Sequence, residues 1–561
     1  MTNSDAPALF RKAVAFHNQG RFEDALVLYD AVLRLTPGYA AAHSNRGFAL
    51  HSLNRMDEAL ESYDRAIGLN PNFADAYNNK GIALQELQRW PEALQSYDAA
   101  IRLKPGSSDL YNNRGVTLQN LQRFEDALQS YDRAIELDPK SSLAFNNRGV
   151  TLKDLNRMDE ALLSHERAIE LNPRHMVAHN NKGIALTELK RTKEALQCFD
   201  RAIELKPDYA EAYYNRGNAL RALDRPDEAL QSFDRAIELR PDYVDAHWNR
   251  STCTLSMGRF AEGWRLYEWR KKRFSPEVSR DYPQPVWLGE EDIEGKTLFV
   301  YAEQGLGDTI QFCRYAQLAE VKGANVIFAV QDELIPLLGK LTDGITIMGW
   351  KAPPPPFDLQ TSLLSMPLAF GTDENNIPAT VPYLQPGPDL VAKWRKFLGN
   401  DGYKVGICWQ GKKDTPIDKG RSFPLRCLEG LSKIPNLRLI SLQKNDGVEQ
   451  LRGLPPGMKV ETLGENFDAG PGAFVDTAAV MESLDLVVTT DTAIAHLAGA
   501  LARPVWVALK HVPEWRWLLG RADSPWYPTM KLFRQPTDDD WRSVFAAMET
   551  ELAKRTGSAQ F

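Results

Sequence analysis

Val487-Val488-Thr489-Thr490-Asp491-Thr492-Ala493-Ile494-Ala495-His496-Leu497-Ala498-Gly499-Ala500 reads as strand, turn and helix, and it decides the class of the C-terminal part of the chain. The apolar run through Val488 is short and β-rich, as a strand buried on both faces requires, and Ala493 to Leu501 is a helix-forming run that stops before Pro504. Between them Thr489, Thr490, Asp491 and Thr492 bring hydroxyls, a carboxylate and the free N–H groups of a helix start to the carboxyl end of a parallel strand. Open α/β sheets take their ligands there, and phosphate fits that chemistry. The alternative is that Asp491 and Thr492 only cap the helix and His496 is a packed helix histidine.

Working outward, the same pattern recurs twice. Thr297–Tyr301 is an expected strand, followed by the turn Glu303-Gln304-Gly305-Leu306-Gly307-Asp308, a helix over 309–321 and a strand over 325–330. Gly305 and Gly307 let a ligand approach bare backbone, but the third glycine of a dinucleotide fingerprint is missing, which rejects a nicotinamide enzyme. Asp308 is a candidate general base, with helix capping as its structural alternative. A carboxylate at a helix start is held ionised and weakened as a base, so Glu303 is a second candidate. The pattern resumes at Lys404–Trp409, which runs into Gln410-Gly411-Lys412-Lys413-Asp414, and Arg421 opens the next expected helix. Gly411, Lys412 and Arg421 are candidates to hold a diphosphate. Gln443, at the end of a strand over 437–443, is a candidate contact to base or ribose. A helix over 474–480 carries Asp476 as a cap or pocket residue. Trp515, Trp517, Trp526 and Tyr527 read as a lock for a returning C-terminal helix rather than a base-stacking platform. The fold class expected here is two Rossmann-like halves, 297–390 and 391–561, facing a cleft.

Asp491-Thr492-x-x-x-His496-Leu497-Ala498-x-Ala500-Leu501-x-x-Pro504-Val505 resembles the donor-binding signature of the heptosyltransferase family of glycosyltransferases. Leu306-Gly307-Asp308 matches the turn after that family's first strand, and Lys412 stands where the family has a lysine after a small residue. The resemblance implies a GT-B glycosyltransferase with the acceptor on the first half and a nucleotide sugar on the second. It places Asp491, Thr492, Ala493 and His496 against the donor's phosphates or sugar, makes Asp308 the base candidate, and implies inverting transfer without a metal or cofactor. Ala493 departs from the glycine that the family often has, which narrows the room for a close phosphate.

The first half of the chain is repetitive. Pro37, Pro71, Pro105, Pro139, Pro173, Pro207 and Pro241 fall 34 residues apart, as do Gly47, Gly81, Gly115, Gly149, Gly183 and Gly217. Small residues at helix crossings with a proline after the second helix are the tetratricopeptide signature, so an α-helical array of about eight repeats is expected over 1–273, with a linker over 274–296. The last unit replaces the register alanine with Gly263 and adds Trp264 and Trp269, read as the joint to the next domain. Asn45, Asn79, Asn113, Asn147, Asn181, Asn215 and Asn249 recur two residues before each register position, each followed by Arg or Lys (46, 80, 114, 148, 182, 216, 250). An asparagine ladder on a concave face offers donors and acceptors that grip an extended peptide backbone. The arrangement is similar to the O-GlcNAc transferases, which join such repeats to a glycosyltransferase and show such a ladder. The alternative is that these polar rows serve solvent or bonds between repeats.

Composition narrows the classes further. The chain has 561 residues, 43% hydrophobic and 25% charged, with a net charge of −7 that falls entirely in 274–561. Without a basic excess in either half, a nucleic-acid partner is not expected. No apolar stretch is long enough for a membrane span, and Met1-Thr-Asn-Ser-Asp-Ala-Pro lacks the regions of a signal peptide, so a cytoplasmic protein is expected. Five scattered cysteines form no metal or disulfide pattern. The functional expectation is transfer of a sugar from a nucleotide sugar to a protein or peptide held by the repeats, with homo-oligomerisation left open. Two alternatives stand beside it: a catalytically inactive scaffold or nucleotide sensor, and a transferase acting on a surface polysaccharide or lipid-linked sugar.

Overall fold

The computed structural model describes residues 5–273, 282–339, 341–413 and 420–557. The chain divides into two compact units, residues 1–223 and 224–561. That cut falls inside the seventh repeat, not at the expected boundary near 273.

The first unit is entirely helical. Each repeat has a 13-residue A helix and a 14-residue B helix, such as Ala40–Ser52 with Met56–Leu69 and Ser108–Asn120 with Phe124–Leu137. Each B helix ends two residues before a register proline, which has no N–H to continue it. The register glycines face a ring sixteen residues ahead: Gly47 on Tyr63, Gly81 on Tyr97, Gly115 on Tyr131, Gly149 on His165 and Gly183 on Phe199. A Cβ on these glycines would lie 2.5–2.8 Å from the nearest ring atom, so the small residue is what lets the two helices meet. Gly115→Ala should therefore cost about 1–3 kcal/mol. Urea unfolding followed by helical circular dichroism checks this, and an unchanged midpoint would show that Tyr131 yields freely.

The basic row is a set of struts between repeats, one of the uses the sequence left open. Arg46 reaches Asp30 at 2.7 Å and Ser62 at 2.6 Å, and Arg114 and Arg148 repeat both contacts on Asp98 with Ser130 and on Asp132 with Ser164. Lys80, Lys182 and Arg216 pair with Asp64, Glu166 and Asp200. Each cation thus ties its A helix to the acid sixteen residues behind it.

The second unit opens with the helices Pro226–Leu239, Val244–Ser256 and Phe260–Tyr267 and the short helix Arg270–Arg273. Two parallel sheets follow. In the first, β1 (Thr297–Tyr301), β2 (Asn325–Val330), β3 (Ile345–Gly349) and β4 (Leu359–Ser362) stand in the order β3-β2-β1-β4. Helix α1 (Leu306–Phe312) leads from β1 and continues past Cys313 as α2 (Arg314–Val321). Helix α3 (Pro388–Leu398) leads to the second sheet, formed by β5 (Tyr403–Cys408), β6 (Leu437–Ser441), β7 (Val460–Glu461), β8 (Leu486–Thr490), β9 (Val505–Leu509) and β10 (Met530–Arg534). Its order is β10-β9-β8-β5-β6-β7. Helices α4 (Val475–Met481) and α5 (Ala493–Ala500) flank β8, and α6 (Trp541–Arg555) closes the chain.

Several boundaries differ from the expectation. Thr489 and Thr490 belong to β8 and not to the turn, because β8 pairs with β9 through Thr490. The expected cut at 390 falls inside α3, whose Trp394 donates to Asp476 at 2.5 Å. Of the expected linker, 274–281 lie outside the described residues. The rest is built into the first sheet: Val286 bridges to Gln360, and Trp287 and Ile293 are buried. Helix α6 packs on its own sheet with Phe423, Leu425 and Leu428, so the locking role falls to the aromatic segment before it. Trp515 and Trp526 of that segment meet Trp264 of the last repeat and Phe312 of α1, with centroids 5.2–6.4 Å apart. Trp264 is the joint that was expected. Trp269 is not, because it stacks on His247 within the repeat at 3.6 Å.

Candidate functional site

The carboxyl ends of β1 and β8 meet. A Cβ on Gly307 would lie 3.2 Å from Cα of Ala493 and 3.3 Å from the ring of His496, so Leu306-Gly307-Asp308, which is the first turn of α1 and not part of the loop before it, rests against the first turn of α5. Two motifs almost 200 residues apart in sequence thereby form one place. Asp308 accepts the Gly305 N–H at 2.9 Å through one oxygen and ion-pairs with Arg516 through the other. Arg516 is buried and also donates to Gln311 at 2.8 Å and to Glu514 at 2.6 Å. Burial pushes the Glu514 carboxyl up; Arg516 opposes that shift and the nearby Asp491 charge adds to it. Asp491 is itself 8% exposed.

His496 is a neutral ring at physiological pH. Burial first, then the charges of Arg516, Arg314 and Arg421, hold its pKa well below 6.5. Its Nδ1 lies 3.2 Å from the Tyr527 hydroxyl and its ring stacks on Trp517. The hydroxyl of Thr490 donates to the Arg421 carbonyl, and that of Thr492 lies 3.2 Å from Thr489 Oγ1. Arg421 is half-buried beside the end of β8, whereas Lys412 is exposed and Asp414 lies outside the described residues. The Gly411 N–H is already given to Ser422 at 3.0 Å.

Two candidates are corrected. Glu303 is no available base: both oxygens receive Arg270, at 2.8 and 3.1 Å, and the Leu364 N–H adds a third bond. Its side chain is 1% exposed, so no acceptor reaches it. Gln443 is a clasp inside the second sheet. Its oxygen takes the N–H groups of Trp409 and Gln410 and its nitrogen gives to the carbonyls of Gln410 and Asp446, all within 3.0 Å, which leaves nothing for a base or ribose. Asp476 caps locally: it holds Trp394, accepts the Asp468 N–H at 2.9 Å and does not face the β1–β8 junction.

Sequence reasoning passed over Arg516 and Glu514 as site residues. The one signal was a charged pair set among tryptophans, Glu514-Trp515-Arg516-Trp517, because such charges in an apolar segment need buried partners.

On the repeats, each ladder asparagine of the middle array donates to an asparagine 35 residues behind: Asn113 to Asn78 at 3.4 Å, Asn147 to Asn112 at 3.0 Å, Asn181 to Asn146 at 3.1 Å and Asn215 to Asn180 at 3.0 Å. One N–H of each amide thus serves the repeat stack and fixes the orientation of the group. Asn79 lines a groove with Phe48, His51, Ser52, Ile82 and Glu86, in which His51 and Glu86 pair at 2.9 Å. Asn45 lies one repeat earlier beside Tyr29, and Asn249 belongs to the second unit.

Family models described as tetratricopeptide repeat match residues 74–107, 108–141 and 210–243, and a further one matches 130–162. A model described as TPR repeat matches 14–54, 49–88 and 183–224. The N-terminal region is a tetratricopeptide-repeat array. Among curated proteins, the chain is 27% identical over 326 residues to Protein FlbA of Caulobacter vibrioides, covering 54% of each. It thus spans about half the length of that relative. Among solved structures, it is similar to YrrB, described as a TPR protein with an unusual peptide-binding site (28% identity, 33% of this chain and 95% of that one, TM-score 0.29). A tetratricopeptide repeat protein from Parabacteroides merdae matches at 20% identity over 45% of this chain and 99% of that one, TM-score 0.39. Among the described residues, no helix is long and apolar enough to cross a membrane.

Proposed function

We propose that the α/β part of residues 224–561 is a nucleotide-sugar glycosyltransferase and that the tetratricopeptide array presents a protein or peptide acceptor to it. The observation that supports this reading is the seating of the Gly307-Asp308 turn of one parallel sheet against the start of α5 in the other. An acceptor hydroxyl at that junction would attack the anomeric carbon as its proton passes to Asp308, and the bond from that carbon to the diphosphate would break with inversion. The leaving charge would fall to the N–H groups around Asp491, Thr492 and Ala493 and to Arg421 and Lys412. The fixed asparagine amides supply a side-chain-independent grip on an extended acceptor.

A second reading has its own support. Asp308, Arg516 and Thr490 all have their polar groups satisfied within the chain, as in a scaffold that takes no nucleotide and turns nothing over. Calorimetric titration of the full chain with UDP, GDP, ADP and CMP, beside an Asp491→Ala variant, separates the two. Binding of one nucleotide, lost in the variant, is the expected result, and it directs the search for the sugar and acceptor. No binding by any of the four would leave the scaffold.

A further inference from the structure

The same geometry that brings the two motifs together leaves little room between them. The contact at Gly307 is already close, and the atoms it meets are helix backbone and a stacked ring, neither of which gives way as the end of a flexible side chain would. A diphosphate that binds on the side of Ala493 occupied by Gly307 has to displace that turn. At its far end Glu303 is fixed by Arg270 and the Leu364 N–H, all buried. At its near end Asp308 is joined to Arg516, which belongs to the segment after β9 and also holds Gln311 one turn further along α1. Between the two ends Gln331 donates to the Gln304 carbonyl at 2.7 Å and accepts the Thr309 hydroxyl at 2.9 Å. Arg516 has further acceptors in Glu514 and Gln311 and lies flat over Trp515 at 4.3 Å, so its guanidinium stays in place if Asp308 lets go.

We propose that the Asp308–Arg516 pair is an autoinhibitory latch: an anion entering at the start of α5 takes the place of the Asp308 carboxylate on Arg516, and the turn lifts only then. The competition is between like charges for one guanidinium. Only Nη2 changes partner, from the Asp308 carboxylate to a phosphate oxygen, while Gln311 on Nε and Glu514 on Nη1 keep the guanidinium oriented during the exchange. On the glycosyltransferase reading, on which this consequence rests, the base is masked until the donor is bound. Binding is then ordered with donor first, and the carboxylate is never presented to an acceptor without a donor beside it. The latch itself does not need that reading, because any diphosphate can open it.

The test uses the full chain, inorganic pyrophosphate as the probe, and Asp308→Asn. Asparagine keeps an acceptor for the Gly305 N–H, so the helix cap survives, but it carries no charge to compete for Arg516. Two results are expected. Amide exchange in segments 303–313 and 490–501 accelerates in the variant while the thermal midpoint holds, and pyrophosphate binds it about tenfold more tightly than the wild type. Unchanged exchange in both segments, equal or weaker pyrophosphate affinity, or no pyrophosphate binding to either protein would overturn the latch. Failure of the two proposals is distinguishable. Pyrophosphate that binds tighter to Asp308→Asn while no nucleotide binds keeps the latch and removes the donor reading. A nucleotide that binds both proteins alike, with unchanged exchange, does the reverse.

Discussion

Replacing Arg270 with methionine is expected to cost about 3–5 kcal/mol and to unfold residues 224–561 before the repeats in front of them. Arg270 is wholly buried at the junction of the last repeat and the first sheet. Its guanidinium reaches Glu303 twice, Glu268 at 2.7 Å, Ser362 at 2.9 Å, Ser365 at 2.8 Å and the Tyr267 carbonyl at 3.1 Å. Methionine fills much of the volume but leaves the Glu303 carboxylate uncompensated, and that orphan charge dominates the loss. Glu303→Leu added to Arg270→Met should recover most of it, because a buried ion pair replaced as a whole by apolar side chains is often neutral. Every tryptophan except Trp90 lies in 224–561, so the tryptophan-emission transition of the full chain reads this unit. A single variant as stable as the wild type would show that the pair contributes nothing. Glu268 gives the pH signature. Burial pushes its carboxyl up, but Arg270 and Lys271 more than reverse this and bring it to about 2 from 4.5. The folded state therefore binds fewer protons than the unfolded one in that window. The stabilisation is full above pH 4.5 and is lost as pH falls toward 2; it should shrink in Arg270→Met.

The helical array could be read from the sequence because its physics repeats. A glycine under a ring and a proline past a helix end are demands made at every turn, so they print a period. The left-handed turn between A and B helices is as regular, at Asn54, Gln88, Gln122, Asn156 and Lys190, with glycine at Gly20 and Gly258. It escaped notice because the residues at that position change. Backbone strain at this site is tolerated by several residue types, so no single letter marks it. The basic row was visible, but a row of cations looks the same whether it faces a ligand or acids of the preceding repeat, so its use stayed open.

In the α/β part, strands of continuous apolar residues stood out to within two or three residues, since burial on both faces leaves no alternation to misread. Charge pairing was hidden. Arg270 finds Glu303 and Arg516 finds Asp308 across 33 and 208 residues, and nothing in either local sequence names its partner. That is why Glu303 passed for a base: an acid beside a glycine turn looks alike whether it faces a cleft or an arginine. Gln443 failed for a related reason. A polar residue at a strand's carboxyl end is as useful for closing neighbouring loops as for holding a ligand, and four backbone bonds show which use this chain makes of it.

The sharpest functional expectation concerns the same carboxylate that forms the latch. If Asp308 is the base of a glycosyl transfer, Asp308→Asn should lower turnover by roughly 10²–10⁴-fold, the range a positioned general base supplies. The variant removes the proton-accepting role while keeping the helix cap, since asparagine has one oxygen to accept the Gly305 N–H but turns an NH2 toward Arg516 and cannot take a proton from an attacking hydroxyl. A structural residue and a base then part company in opposite directions. With the latch weakened, the donor should bind more tightly even as transfer stops, and no ordinary loss of folding produces tighter binding with slower chemistry. The measurement is a donor titration and single-turnover transfer on the same preparation, with the nucleotide that calorimetry identifies. Turnover within a few-fold of the wild type would remove Asp308 from the chemistry. With Glu303 locked on Arg270, the proton would then have to pass to Asp491 or Glu514, the other carboxylates at the junction, and Glu514 is the one whose burial already favours holding it.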